Sequence, residues 1–244
     1  GLDSAGGLFH ASGLSRSAFT LAEVLITLGI IGVVAAMTLP ALIQNHTNKV
    51  VATRLKKFYT TFNEAIQLAE AEYGDRQYWY SDVAGVDLDE EGNPIMSSAQ
   101  IDKWFQKYFS NLIVIKKIIK TNGVLRYYLS DGSSFQFGND DTVLTSREIV
   151  FFTGHPDKCP QDGYGICKFQ FEYYPIDSST GWKYLYNKGL EPVKVGWDGN
   201  RNTLLNDSRI GCNTKARDGA KYCTAIIQLN NWIIPEDYPF KVRY

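Results

Sequence analysis

"SRSAFTLAEVLITLGIIGVVAAMTLPALIQN", Ser15 to Asn45, is the stretch on which the reading of the fold turns. From Val24 to Ile43 it runs twenty residues without a charge. Twenty helical residues at about 1.5 Å each cover about 30 Å, the depth of a bilayer's hydrocarbon. Glu23 stands where that run begins, and an ionised carboxylate in hydrocarbon costs on the order of 3 kcal/mol, so it needs a partner or a place at the interface. A membrane-spanning helix is the first reading. A secretory signal peptide cut after Val34-Ala35-Ala36 and a plain unprocessed anchor are the alternatives, and the signal peptide leaves Glu23 unexplained.

A cut between Ala18 and Phe19 would create an amine four residues before Glu23, about one helical turn away, where a carboxylate also complements the helix dipole. The pair can form within one chain or between chains, and in the second case it sets register during assembly. On these residues, "AFTLAEVLITLGIIGVVAAMTLPALI" resembles the cleavage and methylation segment of type IV prepilins and of the pseudopilins of type II secretion systems. In that family a short basic leader ends in a small residue, the mature chain starts at Phe, Glu is fifth and Pro is twenty-second. Phe19, Glu23 and Pro40 fall on those positions. The resemblance implies a prepilin peptidase that cuts before Phe19 and methylates the new amine, then extraction of the subunit into a filament by an inner-membrane platform. The family nearly always has Gly before the cut, where this chain has Ala18. Counting basic residues, Arg16 before the apolar run against Lys49, Arg54, Lys56 and Lys57 after it, would put the other end in the cytoplasm. The resemblance implies an amino terminus in the cytoplasm.

Gly29 and Gly32 allow close helix approach without the four-residue spacing of a strong dimer motif, and Pro40 removes a backbone donor and kinks the helix. Beyond it, Val51, Leu55, Phe58, Phe62, Ile66, Ala69 and Tyr73 form a seam spaced by three or four residues, which Gly74 stops. The expectation is one kinked helix from Phe19 to Tyr73, spanning a membrane in its first half and carrying a head on its second. Ser97 and Gln100 offer a capping box before an amphipathic helix of Ile101, Trp104, Phe105, Tyr108 and Leu112. "LIVIKKII" reads as a strand, "VLRYYLSDGSSFQF" as a hairpin turning on Asp131-Gly132, and further strands are expected at Ile149–Thr153, Lys168–Tyr174, Leu190–Val195 and Thr224–Leu229. A long helix followed by mostly antiparallel strands is an α+β fold, here of a pilin-like kind.

Cys159, Cys167, Cys212 and Cys223 contain no C-x-x-C pair, so zinc is a weak reading and disulfides in an exported head are the stronger one. Of the three possible pairings, Cys159 with Cys167 and Cys212 with Cys223 are favoured because each closes a short loop. A bridge near the carboxyl terminus also resembles one that many pilins carry. Asp87, Asp89 and Glu91 imitate the opening of a calcium loop, but Ser98 stands where a bidentate Glu belongs, and a solvated acidic loop is the simpler reading. Calcium recurs in some members of the resembled family, and Asp198, Asn200, Asn202 and Asp207 make a second oxygen-rich loop. No cofactor is expected.

His10, His46 and His155 lie near no nucleophile motif, and there is no Gly-rich phosphate loop, so an enzyme is not expected. A net charge of -1, from 25 basic and 26 acidic residues, gives no global case for nucleic acid as a partner. Trp232, in "NNWIIPEDYPF", is either an exposed aromatic contact or closure of the core.

The expected organisation is a leader (1–18), a transmembrane and assembly helix (19–45) and a periplasmic or extracellular α+β head (46–244). The expected role is a structural subunit of a type II secretion pseudopilus, single-pass in a bacterial inner membrane before it joins a filament with other subunits. A minor type IV pilin for adhesion or DNA uptake, and a secreted or anchored binding domain, are the alternatives.

Overall fold

The structure, a computed structural model, describes residues 20–79, 87–95, 101–121, 124–137, 148–174 and 179–244. It divides after Ile43 into an amino-terminal unit and a head. Helix α1, Leu21–Tyr73, contributes to both. It is followed by α2 (Arg76–Trp79), β1 (Asp87–Leu88), β2 (Pro94–Ile95), α3 (Ile101–Phe109), β3 (Lys117–Thr121), β4 (Val124–Tyr128), β5 (Ser134–Phe137), β6 (Glu148–Phe152), β7 (Lys168–Tyr173), β8 (Leu190–Pro192), α4 (Arg201–Asn206) and α5 (Cys223–Leu229). Strands β3 to β8 form one antiparallel sheet in chain order, while β1 and β2 make a separate hairpin. This is the expected α+β arrangement, a long apolar amino-terminal helix and an antiparallel sheet.

The core follows from strand alternation. Tyr127, Phe135, Phe151 and Phe169 stand opposite one another in register across β4, β5, β6 and β7, an aromatic row on one face of the sheet. The second half of α1 lies on that face. Its Val51, Leu55, Phe58, Phe62, Ile66 and Ala69 are all buried, as the seam requires, and Phe58 is central: its ring lies 4.5 Å from Phe151 and 5.4 Å from each of Phe135 and Phe171. Tyr73, the last residue of the seam, is exposed beyond the core and meets Tyr108 edge-on at 5.0 Å. Gly74, at φ +85°, adopts the left-handed conformation that ends the helix and donates to the Glu70 carbonyl at 2.9 Å. Helix α3 closes the same face, with Phe105 4.6 Å from Tyr127, and buries Phe109 where the periodicity suggested Leu112.

The sheet edge at β8 is closed by a side chain. The Asn63 amide on α1 donates to the Leu190 carbonyl at 3.0 Å and accepts from the Leu190 N–H at 2.8 Å, pairing the edge as a further strand would. Gly189 makes room, since a Cβ there would fall 1.7 Å from the Asn63 oxygen. Next to it Glu191 and Lys194, both buried, pair at 3.3 Å, and Glu191 also accepts from Tyr59 on α1 and Gln228 on α5. One acidic side chain thus joins three elements.

Several local expectations need correction. Thr224–Leu229 lies in helix α5, because Ala225 and Ile226 enter one hydrophobic cluster and Ile227 the main core, and burial on two sides overrides β-propensity. The strand expected over Leu190–Val195 stops at Pro192, which has no N–H to donate. In "LIVIKKII" the strand begins only at Lys117, since the amides of Leu112 and Ile113 turn back to the Phe109 carbonyl at 3.0 and 2.9 Å. The β4–β5 hairpin forms as expected: Leu129 and Ser133 close a three-residue loop, and Gly132 at φ +83° supplies its left-handed position. The Ser97–Gln100 box lies outside the described residues.

On the opposite face Glu148, Glu172 and Glu191 stand opposite one another across β6, β7 and β8. The outer two have cations, Lys221 at 4.0 Å from Glu148 and Lys194 at Glu191. The middle one, Glu172, is buried, and its Oε2 accepts no hydrogen bond among the described residues. Burial, with the Glu148 charge adding and Lys221 opposing, pushes the Glu172 carboxyl up to about 7 from an ordinary 4.5. The folded state therefore holds this proton more tightly than the unfolded chain. The stability it contributes is complete below about pH 4.5 and is lost as pH rises through about 7.

Two outcomes follow from this packing. Phe58→Ala should lower unfolding free energy by about 3–5 kcal/mol in denaturant titration, because the cavity opens among four rings that cannot collapse together. Glu172→Gln should raise the thermal midpoint at pH 8, by the equivalent of roughly 2–3 kcal/mol, and leave it unchanged near pH 4.5. An equal shift at both pH values would show that the carboxyl charge is not what limits stability there.

Candidate functional site

The segment from Leu21 to Ile43 has an unusual surface. Leu21, Leu25, Ile26, Leu28, Ile31, Met37 and Leu42 are all exposed, so the apolar side chains lie on every side of the helix and no face is left for water. Its most apolar eighteen-residue window has a mean hydropathy of 2.3 and none of it is buried, which makes it long and apolar enough to cross a membrane. Its hydroxyls are turned inward: Thr27 Oγ1 donates to the Glu23 carbonyl at 2.9 Å and Thr38 Oγ1 to the Val34 carbonyl at 3.0 Å. A threonine bonded to its own helix offers no unpaired donor to lipid. A Cβ on Gly29 or Gly32 would meet nothing within 4 Å, and Pro40 lies inside the helix without ending it.

The start of the helix explains how the charge is accommodated. Glu23 Oε2 accepts from the Thr20 amide and from Thr20 Oγ1, both at 2.8 Å, and the Glu23 amide donates to Thr20 Oγ1 at 3.2 Å. This is a reciprocal capping box, with Thr20 as cap and Glu23 reaching back from the third helical position. It satisfies two amides that a helix start leaves without partners, in the place where the dipole favours negative charge. The box was written in the sequence as Thr20-x-x-Glu23, the same signal noticed at Ser97, and Thr20 is the residue that sequence reasoning missed. Ala18 and Phe19 lie outside the described residues.

In the head the cysteines pair as Cys159–Cys167 and Cys212–Cys223, the two local loops. Asp89 serves the turn between β1 and β2, accepting from the Glu91 and Asn93 amides at 3.1 and 2.7 Å, and Asn93 N–H bonding holds its carboxyl below the usual range. The oxygen-rich stretch after Trp197 is a capped helix and not a loop: Asn200 caps α4 by accepting from the Asn202 amide at 2.9 Å, and Asp198 accepts from Asn200 N and Thr203 Oγ1, both at 2.8 Å. Among the described residues no group of three or more His, Cys, Asp or Glu side chains is arranged to hold a metal ion, and Asp87, Asp89 and Glu91 form no such group. His155 caps the 3-10 turn Pro156–Lys158. Trp232 sits in a turn after α5 at φ +60°, half-buried, its ring 5.0 Å from Tyr59, so it closes the core from outside.

The model of a family of unknown function, DUF6613, matches residues 41–242, and so covers the head. Searches of curated proteins and of solved structures returned no match.

The capping box separates two roles of Glu23, because a glutamine at that position still accepts the Thr20 bonds and carries no charge. Glu23→Gln should leave amide exchange in the first turn of α1 close to that of the parent, whereas Thr20→Val should speed it several-fold, reflecting about 1 kcal/mol of lost capping. Equal acceleration in both variants, followed by hydrogen-exchange NMR in lipid nanodiscs, would mean that the charge holds the helix start as much as the cap geometry does.

Proposed function

We propose that this chain, which belongs to the DUF6613 family of unknown function, is a pilin-like structural subunit, and that it works as a pseudopilin of a type II secretion system. The observation that carries this reading is the coincidence, in one segment, of a helix apolar on all sides with a single carboxylate at its first turn. A plain anchor needs no carboxylate there.

In this reading a prepilin peptidase cuts between Ala18 and Phe19 and methylates the new amine. Thr20, whose amide the Glu23 carboxylate contacts, directly follows Phe19 in the chain, so the new cation is created next to the waiting anion. Before assembly the capping bonds keep the carboxylate solvated by the helix's own donors at the membrane surface, which reduces its cost in lipid. On assembly, the amine of one subunit can meet the carboxylate of a neighbour. Only one axial register brings the two charges together in an apolar surround, and a misplaced subunit would bury both without partners. The apolar faces from Val24 to Ile43 would then form the filament core, Pro40 would adjust the path of the helix, and the disulfide-bonded head would lie in the periplasm or outside the cell.

Mass spectrometry of the mature amino-terminal peptide, from membranes of cells with and without a prepilin peptidase, tests this directly. The expected product is a chain beginning at N-methylated Phe19, seen only with the peptidase. A chain that begins after Ala36, or one uncut in both strains, would overturn the reading.

A further inference from the structure

Within the head, the hairpin loop Leu129–Ser133 and the Leu112–Val114 turn face the second half of α1 across a pocket of about 320 Å³. The helix presents Arg54, Lys57, Phe58, Thr61 and Phe62 to it, residues spaced by three and four along one face. The lining is mixed: Phe58, Phe62, Leu112 and Leu129 are apolar, while Arg54, Lys57 and Asp131 are charged.

The charged lining does not balance. Arg54 donates to two backbone carbonyls, Asp131 at 2.5 Å and Thr153, and its guanidinium lies 4.7 Å from the centre of the Tyr244 ring. None of these contacts carries a full negative charge. Lys57 pairs with the Asp131 carboxylate at 3.5 Å. Burial opposes ionisation of Asp131, but hydrogen bonds from Ser133 and the charges of Lys57 and Arg54 outweigh it and hold the carboxyl below its ordinary range. Among the described residues lining the pocket, two cations therefore share one anion, and the Lys57 ammonium is largely exposed. A pocket at the small end of ligand-sized cavities, lined mostly by apolar side chains together with two cations and one anion, fits one kind of guest.

We propose that this pocket binds a small monocarboxylate with an apolar body, the carboxylate taken by Arg54 and Lys57 and the body laid against Phe58, Phe62, Leu112 and Leu129. At roughly 30 Å³, a water molecule's share of liquid volume, the space equals about ten water-sized groups, the size of an arylalkanoate and well short of a membrane fatty acid. Charge recognition comes from Lys57 most cleanly, because Arg54 also ties α1 to the hairpin and to β6's end. The proposal concerns the head alone and stands whether or not the chain assembles into filaments.

The test is saturation-transfer NMR with 3-phenylpropionate on the full chain in lipid nanodiscs, with empty discs as the blank and 3-phenylpropanol as the uncharged comparison. Saturable transfer to the carboxylate, at least tenfold weaker for the alcohol and for Lys57→Glu, is the expected result. Thr61→Trp, which fills the pocket from α1, should abolish it while the thermal midpoint and circular dichroism stay near those of the parent. If Thr61→Trp does not fold, the Lys57→Glu comparison decides. No transfer above empty discs, equal transfer to acid and alcohol, or transfer that survives in a folded Thr61→Trp chain would each overturn the proposal.

Discussion

A helix with leucine, isoleucine and valine on every side cannot stay in water, and a helix with apolar residues on one side needs only one partner. Both conditions hold in α1. From Leu21 to Ile43 the exposed apolar side chains surround the axis, and from Val51 to Ala69 the buried ones lie in a single seam. The rest of the structure answers to that change. The first part is long and apolar enough to cross a membrane. The second requires a sheet with an aromatic face, which β4 to β7 supply through one row of four rings in register.

The head is joined to its part of α1 by more than apolar burial. Asn63 pairs with the edge of β8, Tyr59 donates to Glu191, and Arg54 holds the hairpin loop. Each of these replaces water on a backbone or carboxylate group that burial would otherwise strip bare, and an unpaired buried polar group costs about 1–3 kcal/mol. The helix is thus a structural strand of the sheet in one place and a clamp on its loops in another. Glu172 is the exception, a buried carboxyl between two neighbouring glutamates, and it makes the head's stability depend on pH.

Much of this was legible in the sequence. The seam of α1, the stop at Gly74, the Asp131-Gly132 hairpin and four of the strands could be read from period and turn chemistry, because those signals are local. The misreadings have separate causes. "TAIIQL" is rich in β-branched residues, and only the two clusters that flank α5 make it a helix. The stretch after Trp197 read as an oxygen-rich loop because the residues that cap a helix are also those that favour loops. At the candidate site, Glu23 and Pro40 stood out from their charge and position in an apolar run, while Thr20 was passed over as ordinary. Its role appears only once the helix start and the carboxylate are seen together. Asn63 could not be read at all, since its partner lies 127 residues away.

If the chain assembles as proposed, Glu23 acts there as a charge, beyond its bonds to Thr20. Glu23→Gln keeps those bonds and removes the charge, so its incorporation into filaments, counted against the parent chain by quantitative immunoblot of sheared filament fractions at matched membrane levels, separates the two roles. The account predicts a fall of at least tenfold for Glu23→Gln and near-parental incorporation for Thr20→Val. Parental incorporation of Glu23→Gln would contradict it and leave Glu23 as a helix cap.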